Sequence, residues 1–573
     1  MEIYYERLAQ VQRLPENVEF DAIVIGSGVT GGWAAKELCE AGLNTLMLDR
    51  GRMVEHRQDY PTDGRGAFEL PYRNSWAPGI QQQYSRNYTA GPDNHTFYAT
   101  DDEHPYVYDE NKPFDWVRPA AVGGKSLVWG RQSYRWSRQD FEANREDGHG
   151  IDWPIRYDDI EPWYGYVEKT VGISGEALGL EQLPDSEFQP PMPLNIVERQ
   201  FRDVLARDFD GRVLTIGRVA NLTEDMPEQG RTRCQFRNRC RRGCSFGSYF
   251  STQAVTLPMA RATGNLTLKD SSVVESLEYD AAEQRVTGVR VVDARTRERS
   301  VYRARIVFLC ASCIPSTQVL LNSRSEAMPK GLGNNHDVLG RYVIDHIYEI
   351  GATGTFHGQV EEYVEYGRRP NGLYIPRFRN LPGAGLALDY VRGYGYQGDT
   401  DRSTPQDSGG FGADLKQRLR VPGPWRIALF GFGEVLPYRD NRMRLSETAV
   451  DHFGIPQMQF DVQWRENEAR MATDIVEQSV AMLQAAGARD IQRRVVPGPP
   501  GRGIHEMGGA CMGEDPTQSV VNRWNQLHVA PNVFVTDGAA MSSGSCVNPT
   551  LTFMAMTARA ADHAIDLVSN DAI

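Results

Sequence analysis

The chain has 573 residues, a formal net charge of −13 and a pI near 5.5. This length exceeds one hydrophobic core and predicts roughly two to four domains. The acidic balance argues against non-specific nucleic-acid binding, and no apolar run approaches the ~18 residues that a membrane-spanning helix needs. The eight cysteines are too few for a secreted disulfide framework in a chain of this length.

The N-terminal stretch 1–20 lacks a basic region followed by an apolar core, which is the pattern of a secretory signal peptide. We therefore expect a cytoplasmic protein, or a periplasmic one if it is exported with a partner subunit that carries the signal.

The first predicted unit is 20–50, where a strand, a glycine turn, a helix and a second strand follow one another. Gly26, Gly28 and Gly31 have the spacing G-x-G-x-x-G, which allows a sharp turn, close approach of the backbone to a pyrophosphate, and tight helix packing. Asp49 closes the second strand, where a carboxylate can accept hydrogen bonds from an adenosine ribose. The combination predicts a dinucleotide-binding site that faces the positive end of the helix.

Two segments rich in turn residues follow. Residues 54–115 have many Tyr, Pro, Asn, Gly and Asp residues and little periodicity, which predicts long loops that cover a ligand. In 117–141, Gly123 and Gly124 would let the backbone approach a ligand, and Ser126 would offer a hydroxyl beside it. An ordinary turn between a loop and a helix is the alternative interpretation.

The rest of the chain mixes helical and strand patterns. Residues 151–175 are expected to be mainly helical, with an aromatic stripe that packs rather than binds a cofactor. Residues 265–305 alternate apolar and polar positions, which is typical of a strand meander, and 305–321 predicts a strand, a turn and a helix. Residues 346–495 predict an antiparallel sheet, with a covering helix over 466–486.

These patterns predict an α/β fold: a Rossmann-like dinucleotide-binding domain with an inserted α+β substrate domain built on an antiparallel sheet. The chain passes between the two domains more than once. The dinucleotide-binding domain is assigned to 15–55, 115–150, 200–345 and 496–573. The substrate-binding domain and its covering loops are assigned to 56–114, 151–199 and 346–495.

The C-terminal segment 501–560 sets one imidazole, His505, and one amide, Asn548, at either end of a glycine-rich run around a short apolar strand, 533–536. A lone histidine is more often structural than catalytic, so the pair is more informative than either residue. Two polar side chains placed in this way can close on one reacting centre.

Five segments, in chain order, resemble the glucose-methanol-choline (GMC) flavoprotein oxidoreductases. They are the glycine turn at 26–31, AVGGKSLVWG at 121–130, the predicted strand–turn–helix at 305–321, GEVLPYRDNRMRL at 433–445, and 501–560 with its TDGA and VNPT motifs. Within that family the chain is similar to bacterial catalytic subunits of the glucoside 3-dehydrogenase and FAD-dependent glucose dehydrogenase type, and more distantly to pyranose oxidases.

The resemblance implies bound FAD and hydride transfer from a substrate carbinol carbon to flavin N5. An alcohol gives up hydride readily only as its O–H proton leaves, so the site needs a base and a partner for the developing alkoxide. His505 matches the family's active-site base. Asn548 matches the second active-site position, where it would hold the hydroxyl and the flavin edge. Some members have His at that position, and Asn here assigns the base role to His505.

The same resemblance implies further FAD contacts. Asp537 and Gly538 match the contact with the ribityl chain and pyrophosphate, Val274 matches a backbone contact with adenine, and Pro549 lies beside Asn548 in the matching motif. In pyranose oxidases, a His in the motif that resembles GGKSLVW carries a covalent flavin link. Val128 stands at that position, so the resemblance implies non-covalently bound FAD.

A cysteine cluster, Cys234, Cys240 and Cys244, has the spacing C-x5-C-x3-C, which differs from the paired motifs of zinc ribbons. In FAD-dependent glucose dehydrogenases a similar segment is associated with a three-iron cluster, so a 3Fe-4S cluster is one interpretation. Zinc binding and free thiols are the alternatives. Arginines between 231 and 242 are expected to lower the thiol pKa values, and they form either a docking face for an acidic partner or a solvated charged run.

The expected reaction is oxidation of a secondary hydroxyl of a sugar or glycoside to a ketone, with C3 of a pyranoside favoured over C1 or C2. An iron–sulfur cluster would pass electrons singly to a cytochrome c or a quinone, and a small partner subunit would fit that route. The alternatives are a sugar oxidase that uses O2, a non-redox FAD-containing lyase of the same family, a nicotinamide-dependent dehydrogenase, and a binding protein or electron carrier.

Overall fold

The computed structural model describes residues 19–358, 369–383, 388–402, 410–420 and 423–573. The N-terminal stretch, on which the signal-peptide prediction rests, and parts of 346–400 lie outside the described residues. Within the described ranges, no helix combines the length and the apolar character needed to cross a bilayer.

Strands and helices alternate along the chain. The described strands are β1 (Glu19–Ile25), β2 (Thr45–Leu48), β3 (Val107–Tyr108), β4 (Ile173–Ser174), β5 (Phe188–Gln189), β6 (Thr215–Ile216), β7 (Leu266–Lys269), β8 (Ser272–Asp280), β9 (Arg285–Asp293), β10 (Arg299–Leu309), β11 (Arg341–Ile344), β12 (His346–Phe356), β13 (Leu373–Ile375), β14 (Tyr394–Arg402), β15 (Trp425–Glu434), β16 (Arg442–Val450), β17 (Pro456–Asp461), β18 (Arg489–Arg494), β19 (Met507–Gly509), β20 (Gln526–Leu527) and β21 (Ala530–Val535). The described α-helices are α1 (Val29–Glu40), α2 (Arg138–Asp147), α3 (Tyr157–Val171), α4 (Ile196–Asp208), α5 (Thr256–Ala262), α6 (Cys313–Asn322), α7 (Gly412–Arg420), α8 (Glu466–Ala485) and α9 (Thr550–Ser569).

The first sheet has eight strands, and its main path runs β20-β21-β10-β1-β2-β7. From β21 to β7 all neighbours are parallel, whereas β20 pairs antiparallel with β21. The central strands are apolar and buried, as expected when helices cover both faces of a parallel sheet. β8 and β9 continue from β10 as an antiparallel ribbon. This architecture confirms the predicted Rossmann-like fold.

Helices α1 and α9 pack together in the same buried cluster as this sheet. The contact is rich in alanine, including Ala34 and Ala35 of α1 and Ala560, Ala561 and Ala564 of α9. Small side chains let the helices approach each other closely, so α1 and α9 are held in a fixed relation to the ends of the strands.

The second sheet has six strands in the order β18-β12-β15-β14-β13-β6, and all its neighbours are antiparallel. Helix α8 covers it closely because β15 carries glycine at the contact: a Cβ on Gly431 would lie 2.4 Å from Ile475. The predicted antiparallel sheet with its covering helix is thus confirmed. β6 lies in a segment assigned to the dinucleotide-binding domain yet pairs with β13 of this sheet. The domain boundaries stay a prediction.

Other sequence predictions are also confirmed. Residues 151–175 contain α3, 265–305 contain the meander from β7 to β10, and 305–321 contain the end of β10 and the start of α6. Residues 54–115 form turns, single-turn helices and the short strand β3, as expected for covering loops. The sequence periodicities therefore predict both sheets and their main helices.

A short strand pair brings distant segments together where the two sheets meet. β11 pairs antiparallel with β19, with Ile344 opposite Met507. Residues just after β11 consequently lie beside residues just before β19. β12, a strand of the second sheet, begins at that same point with His346.

Candidate active site

A cleft with a cavity volume of about 220 Å³ lies at the carboxyl ends of β1, β2 and β10. This is the edge at which open α/β sheets bind their ligands. The cleft is lined at one end by the glycine turn after β1 and at the other by His505. Three helices, α1, α6 and α9, begin at the cleft, so their positive ends face it.

The glycine turn has no room for side chains at two of its three positions. Gly26 has φ +97°, and a Cβ there would lie 2.5 Å from the carbonyl oxygen of Cys310. A Cβ on Gly31 would lie 1.9 Å from the carbonyl oxygen of Gly26, so this glycine holds α1 against the turn. A Cβ on Gly28 would meet nothing within 4 Å, because this position faces the open cleft.

The second predicted loop lies directly against the glycine turn. The Gly123 N–H donates to Ser27 Oγ at 2.7 Å, and Gly124 and Ser126 line the cleft. Gly123 has φ +103°, a left-handed conformation that favours glycine. The structure therefore brings both predicted loops to one wall of the cleft.

Asp49 also lines the cleft, but its carboxylate is engaged with the glycine turn. It accepts hydrogen bonds from the Ser27 N–H at 3.0 Å, from the Ser27 hydroxyl, and from the Gly51 N–H at 2.7 Å. Burial raises the pKa of Asp49 to about 6. The carboxylate shapes the turn, and its predicted bond to a ribose stays a prediction.

Asp537, Gly538, Val274 and Pro549 line the same cleft from other elements. The Asp537 carboxylate accepts hydrogen bonds from the Ala539 N–H at 2.9 Å and from the Ser316 hydroxyl at 2.5 Å. Burial raises its pKa to about 6. Pro549 immediately precedes α9. The predicted cofactor contacts are thus close enough together for one extended ligand.

The predicted catalytic pair is assembled at the far end of the cleft. Asn548 Nδ2 lies 3.0 Å from His505 Nε2. His505 lies deep in the protein yet keeps part of its ring open to the cleft. The two residues are therefore neighbours, as the sequence predicts, although three strands, β19 to β21, lie between them in the chain.

Sequence reasoning missed a second histidine. His346 is 1% exposed, and its Nδ1 lies 2.9 Å from Nδ1 of His505. Its Nε2 lies 2.9 Å from the carbonyl oxygen of Ser545. Nothing in the local sequence around His346 marks it as functional, because only the pairing of β11 with β19 brings it to His505.

The backbone around this histidine pair is constrained. Asp345 accepts hydrogen bonds from the Gly503 N–H at 2.8 Å and the His505 N–H at 3.0 Å. Ile504 and Ser545 have φ of +61° and +54°, a left-handed conformation that is rare for such residues and is found at sites held by their surroundings. Burial and the nearby Glu506 raise the pKa of Asp345 to about 7.

A second unpredicted feature is an ion pair inside the cleft. Lys125 Nζ contacts Glu506 Oε2, while the buried Glu506 Oε1 has no hydrogen-bond partner among the described residues. Both residues line the cleft beside His505. An orphaned buried carboxylate oxygen there fits a ligand with hydroxyl or N–H donors.

The environment of His505 predicts how activity depends on pH. Burial, with the nearby Lys125, lowers the pKa of His505 well below its ordinary value of 6.5. If His505 is the base, as the sequence predicts, only its neutral form can take a proton. In that case kcat/KM should not fall between pH 8 and pH 6.5, and its acid limb should lie below about pH 6.5. A pH profile of kcat/KM with a buffered artificial acceptor measures this limb. A half-maximal point near pH 7 or above would contradict the assignment.

The cysteine segment lies away from this centre, in the long connection between β6 and α5. Cys234, Cys240 and Cys244 are partly exposed free thiols. In the described part of the chain, three candidate ligand atoms come within 4.8 Å of one another only at Asp345, His346 and His505, which are already bonded to each other or to backbone. The described thiols therefore form no single-ion site, and no observation supports the 3Fe-4S cluster.

The expected effect of the arginines on the thiols is wrong for Cys234. Burial, with the neighbouring Cys240 and Cys244, raises the pKa of Cys234. The arginines are engaged elsewhere: Arg237 pairs with Asp63 at 2.8 Å and Arg242 pairs with Asp93 at 2.6 Å. These two guanidinium groups thus have carboxylate partners and not thiols.

The residues present fit a bound FAD. The open space at Gly28 and the three helix N-termini at the cleft would suit a pyrophosphate. The Glu506 oxygen that has no partner among the described residues would suit an N–H or hydroxyl donor of a polar ring system. The ring system would lie at the His505 end, because the glycine turn occupies the other end.

The chain is similar to known oxidoreductases along nearly its whole length. It is 26% identical over 566 residues to a fructose dehydrogenase large subunit from Gluconobacter japonicus, covering 96% of this chain and 98% of the relative. It is 27% identical over 570 residues to a 2-methyl-1,2-propanediol dehydrogenase from Mycolicibacterium austroafricanum, covering 95% and 94%. A C-glycoside 3-oxidase from Microbacterium trichothecenolyticum is 24% identical over 326 residues, covering 55% and 56%.

A solved structure agrees with the fold. Pyridoxine 4-oxidase from Mesorbium loti superposes with a TM-score of 0.58 at 17% identity, covering 95% of this chain and 98% of the other. Two family profiles described as GMC oxidoreductase match residues 208–348 and 437–557, which include His346 at the start of β12 and, in the C-terminal segment, His505 and Asn548. The chain is an oxidoreductase that acts on CH–OH groups, and it belongs to the FAD-dependent GMC oxidoreductases.

Proposed function

We propose that the protein oxidises a secondary hydroxyl of a sugar or glycoside to a ketone, at C3 of a pyranoside, with His505 as the base. The observation that carries this proposal is the contact between Asn548 Nδ2 and Nε2 of His505, which lines the cleft. An amide N–H can donate to Nε2 only if that nitrogen is unprotonated. The substrate hydroxyl would take the place of this contact, so that the Nε2 lone pair accepts its proton.

His505 would take the hydroxyl proton of the substrate on Nε2. As that proton leaves, the Asn548 amide would donate a hydrogen bond to the developing alkoxide. Bound FAD supplies the acceptor, at flavin N5, for the hydrogen and both electrons of the carbinol C–H bond. The C–O single bond then becomes a carbonyl, so protons and electrons balance.

Aromatic side chains near the histidine pair support a sugar substrate. Tyr348 and Phe432 are stacked with ring centroids 4.6 Å apart, and the Phe432 ring lies 5.8 Å from that of His505. Such faces suit the C–H surface of a pyranose, while Gln397 and Asn548 offer amide groups to hydroxyls. The relatives named for a sugar and for a C-glycoside support the same substrate class, and the C-glycoside 3-oxidase supports attack at C3.

A screen of pyranosides with an artificial acceptor tests this proposal. The products are analysed to locate the ketone, and a 3-keto sugar is expected. A ketone at another carbon would overturn the assignment to C3. A purified holoenzyme whose FAD is reduced by none of the sugars under anaerobic conditions would overturn the redox proposal in favour of the lyase alternative.

The electron acceptor is a separate proposal. We propose a dehydrogenase that acts with a partner subunit, since a relative that spans the whole chain is a "large subunit". The alternative, an oxidase that uses O2, is favoured by the relative named as an oxidase. Oxygen consumption during turnover separates the two. Iron and acid-labile sulfide in the purified protein decide whether Cys234, Cys240 and Cys244 hold a cluster, and their absence after anaerobic reconstitution would refute it.

The proposed mode of FAD attachment makes a further prediction. Val128 cannot form a covalent flavin link, so acid or heat denaturation should release all of the FAD into the supernatant. Absorbance of the supernatant and the pellet after precipitation measures this. Flavin that stays with the precipitated chain would contradict non-covalent binding.

A further inference from the structure

We propose that His346 is a positioning residue that fixes the tautomer of His505, and that Gln397 fixes the matching orientation of the Asn548 amide from the opposite side. This inference rests on the proposed function for its role in catalysis. The hydrogen-bond polarity on which it stands does not depend on any substrate.

The donor and acceptor in each hydrogen bond can be assigned by starting from a backbone carbonyl. His346 Nε2 lies 2.9 Å from the carbonyl oxygen of Ser545, and a carbonyl can only accept. His346 therefore carries its proton on Nε2. Because His346 is buried and neutral, its Nδ1 has a lone pair and acts as an acceptor.

The next hydrogen bond determines which nitrogen of His505 carries the proton. Nδ1 of His346 faces Nδ1 of His505 at 2.9 Å, so His505 must be the donor in this contact. A neutral His505 that carries its proton on Nδ1 has an unprotonated Nε2. That nitrogen faces Asn548 and the cleft, where the substrate hydroxyl would lie.

The other end of the network imposes the same direction. Gln397, on β14, donates from Nε2 to Asn548 Oδ1 at 2.6 Å. With its oxygen engaged, the Asn548 amide turns its NH2 group toward His505 Nε2. The network thus has one hydrogen-bond arrangement, which is set by the Ser545 carbonyl at one end and the Gln397 amide at the other.

No carboxylate interferes with this arrangement among the described residues. The Asp345 oxygens accept from the N–H groups of Gly503 and His505, and Glu506 pairs with Lys125. His505 consequently has a neutral acceptor behind it instead of the carboxylate found in many catalytic dyads. The network orients the base and keeps it unprotonated, and a proton taken from substrate is held only transiently.

The test compares substitutions that keep or break the polarity in the FAD-loaded enzyme. His346→Asn retains an oxygen near the position of Nδ1 and can still accept from His505. His346→Leu removes both bonds at similar volume. Gln397→Glu replaces the donor to Asn548 with an ionised acceptor and forces the amide to turn, whereas Gln397→Met only removes the bond.

We expect His346→Leu and Gln397→Glu to lower kcat/KM by about 10–100-fold. The loss should be smaller in His346→Asn than in His346→Leu, and smaller in Gln397→Met than in Gln397→Glu. Loss of His346 also removes the neutral acceptor that would stabilise a protonated His505, so the acid limb of the His346→Leu profile should move to lower pH. His357→Leu is the matched control, because His357 directly follows the same strand and its side chain is 50% exposed. It should leave both kcat/KM and the acid limb unchanged.

Nitrogen-15 NMR of histidine-labelled holoenzyme provides the readout that is independent of activity. His505 should be protonated on Nδ1 and His346 on Nε2 in wild type, and His505 should show mixed tautomers in His346→Leu. Wild-type His505 protonated on Nε2, or equal losses and unshifted pH limbs in both His346 variants, would overturn the inference. If the tautomers are as expected but no sugar is oxidised, the proposed function fails and the tautomer lock stands.

Discussion

Replacing His505 with Ala should lower kcat/KM by about 10²–10⁴-fold, or roughly 3–5 kcal/mol of transition-state stabilisation, while FAD stays bound. The reason is local. In the proposed mechanism His505 Nε2 takes the proton, and Asn548, 3.0 Å away, cannot replace it because an amide is not basic near neutral pH. Steady-state kinetics with the best pyranoside measures the loss, and the flavin spectrum checks the cofactor content.

His528 provides the matched control for this substitution. It lies in the same C-terminal segment, is partly buried and contacts the Ser519 hydroxyl at 2.9 Å, but it does not line the cleft. His528→Ala should keep kcat/KM within about 2-fold of wild type. If His505→Ala turned over as fast as His528→Ala, His505 would not be the base.

Replacing Gly31 with Ala should prevent a stable FAD-bound fold. A Cβ at Gly31 would lie 1.9 Å from the carbonyl oxygen of Gly26, and both groups are fixed by α1 and the turn. Overpacking against backbone cannot be relieved by a rotamer change, so the free energy of unfolding should fall by at least about 3 kcal/mol. Denaturant unfolding of the variant, followed by circular dichroism, gives this value.

Gly28→Ala is the contrasting variant at the same turn. Its Cβ meets nothing within 4 Å of the protein but projects toward the cleft. The apoprotein should therefore unfold at the wild-type denaturant midpoint, while FAD affinity measured by fluorescence titration falls by at least 10-fold. Wild-type FAD affinity in Gly28→Ala, or wild-type stability in Gly31→Ala, would contradict this account of the glycine turn.

The fold was largely predictable because its determinants are local. The glycine spacing, the apolar parallel strands and the alternating strands of 346–495 each predict an element, and the elements are found at those places. The pairing of β6 with β13 was not predictable, since β6 is a short strand in a segment assigned elsewhere. Short strands contribute little periodicity, so tertiary contacts decide where they pair.

The site was predictable only where motifs carry it. Asn548 and His505 stand in glycine-rich motifs, and the structure brings them into contact. His346 and Gln397 stand in no motif and reach His505 and Asn548 through strand pairings from distant parts of the chain. Lys125 stands in the motif at 121–130, but the motif does not predict its contact with Glu506. The thiol pKa expectation for Cys234 is wrong because sequence proximity to arginine says nothing about burial or about the partners those arginines find.

The candidate site is built from residues of both sheets. The parallel sheet supplies the cofactor cleft and, after β21, the loop with Asn548. The antiparallel sheet supplies His346 from β12 and Gln397 from β14. The proposed base would be oriented by groups from both sheets, so we expect substitutions where the sheets meet to affect catalysis before they affect FAD binding.

The most direct test of the central claim is the rate of anaerobic flavin reduction by a pyranoside, measured by stopped-flow absorbance in wild type and His505→Ala. The account predicts full bleaching of the oxidised flavin bands in wild type, a rate about 10²–10⁴-fold lower in His505→Ala, and a 3-keto sugar as the product. Bleaching at equal rates in the two proteins would contradict the role of His505, and no bleaching by any pyranoside would contradict the proposed reaction.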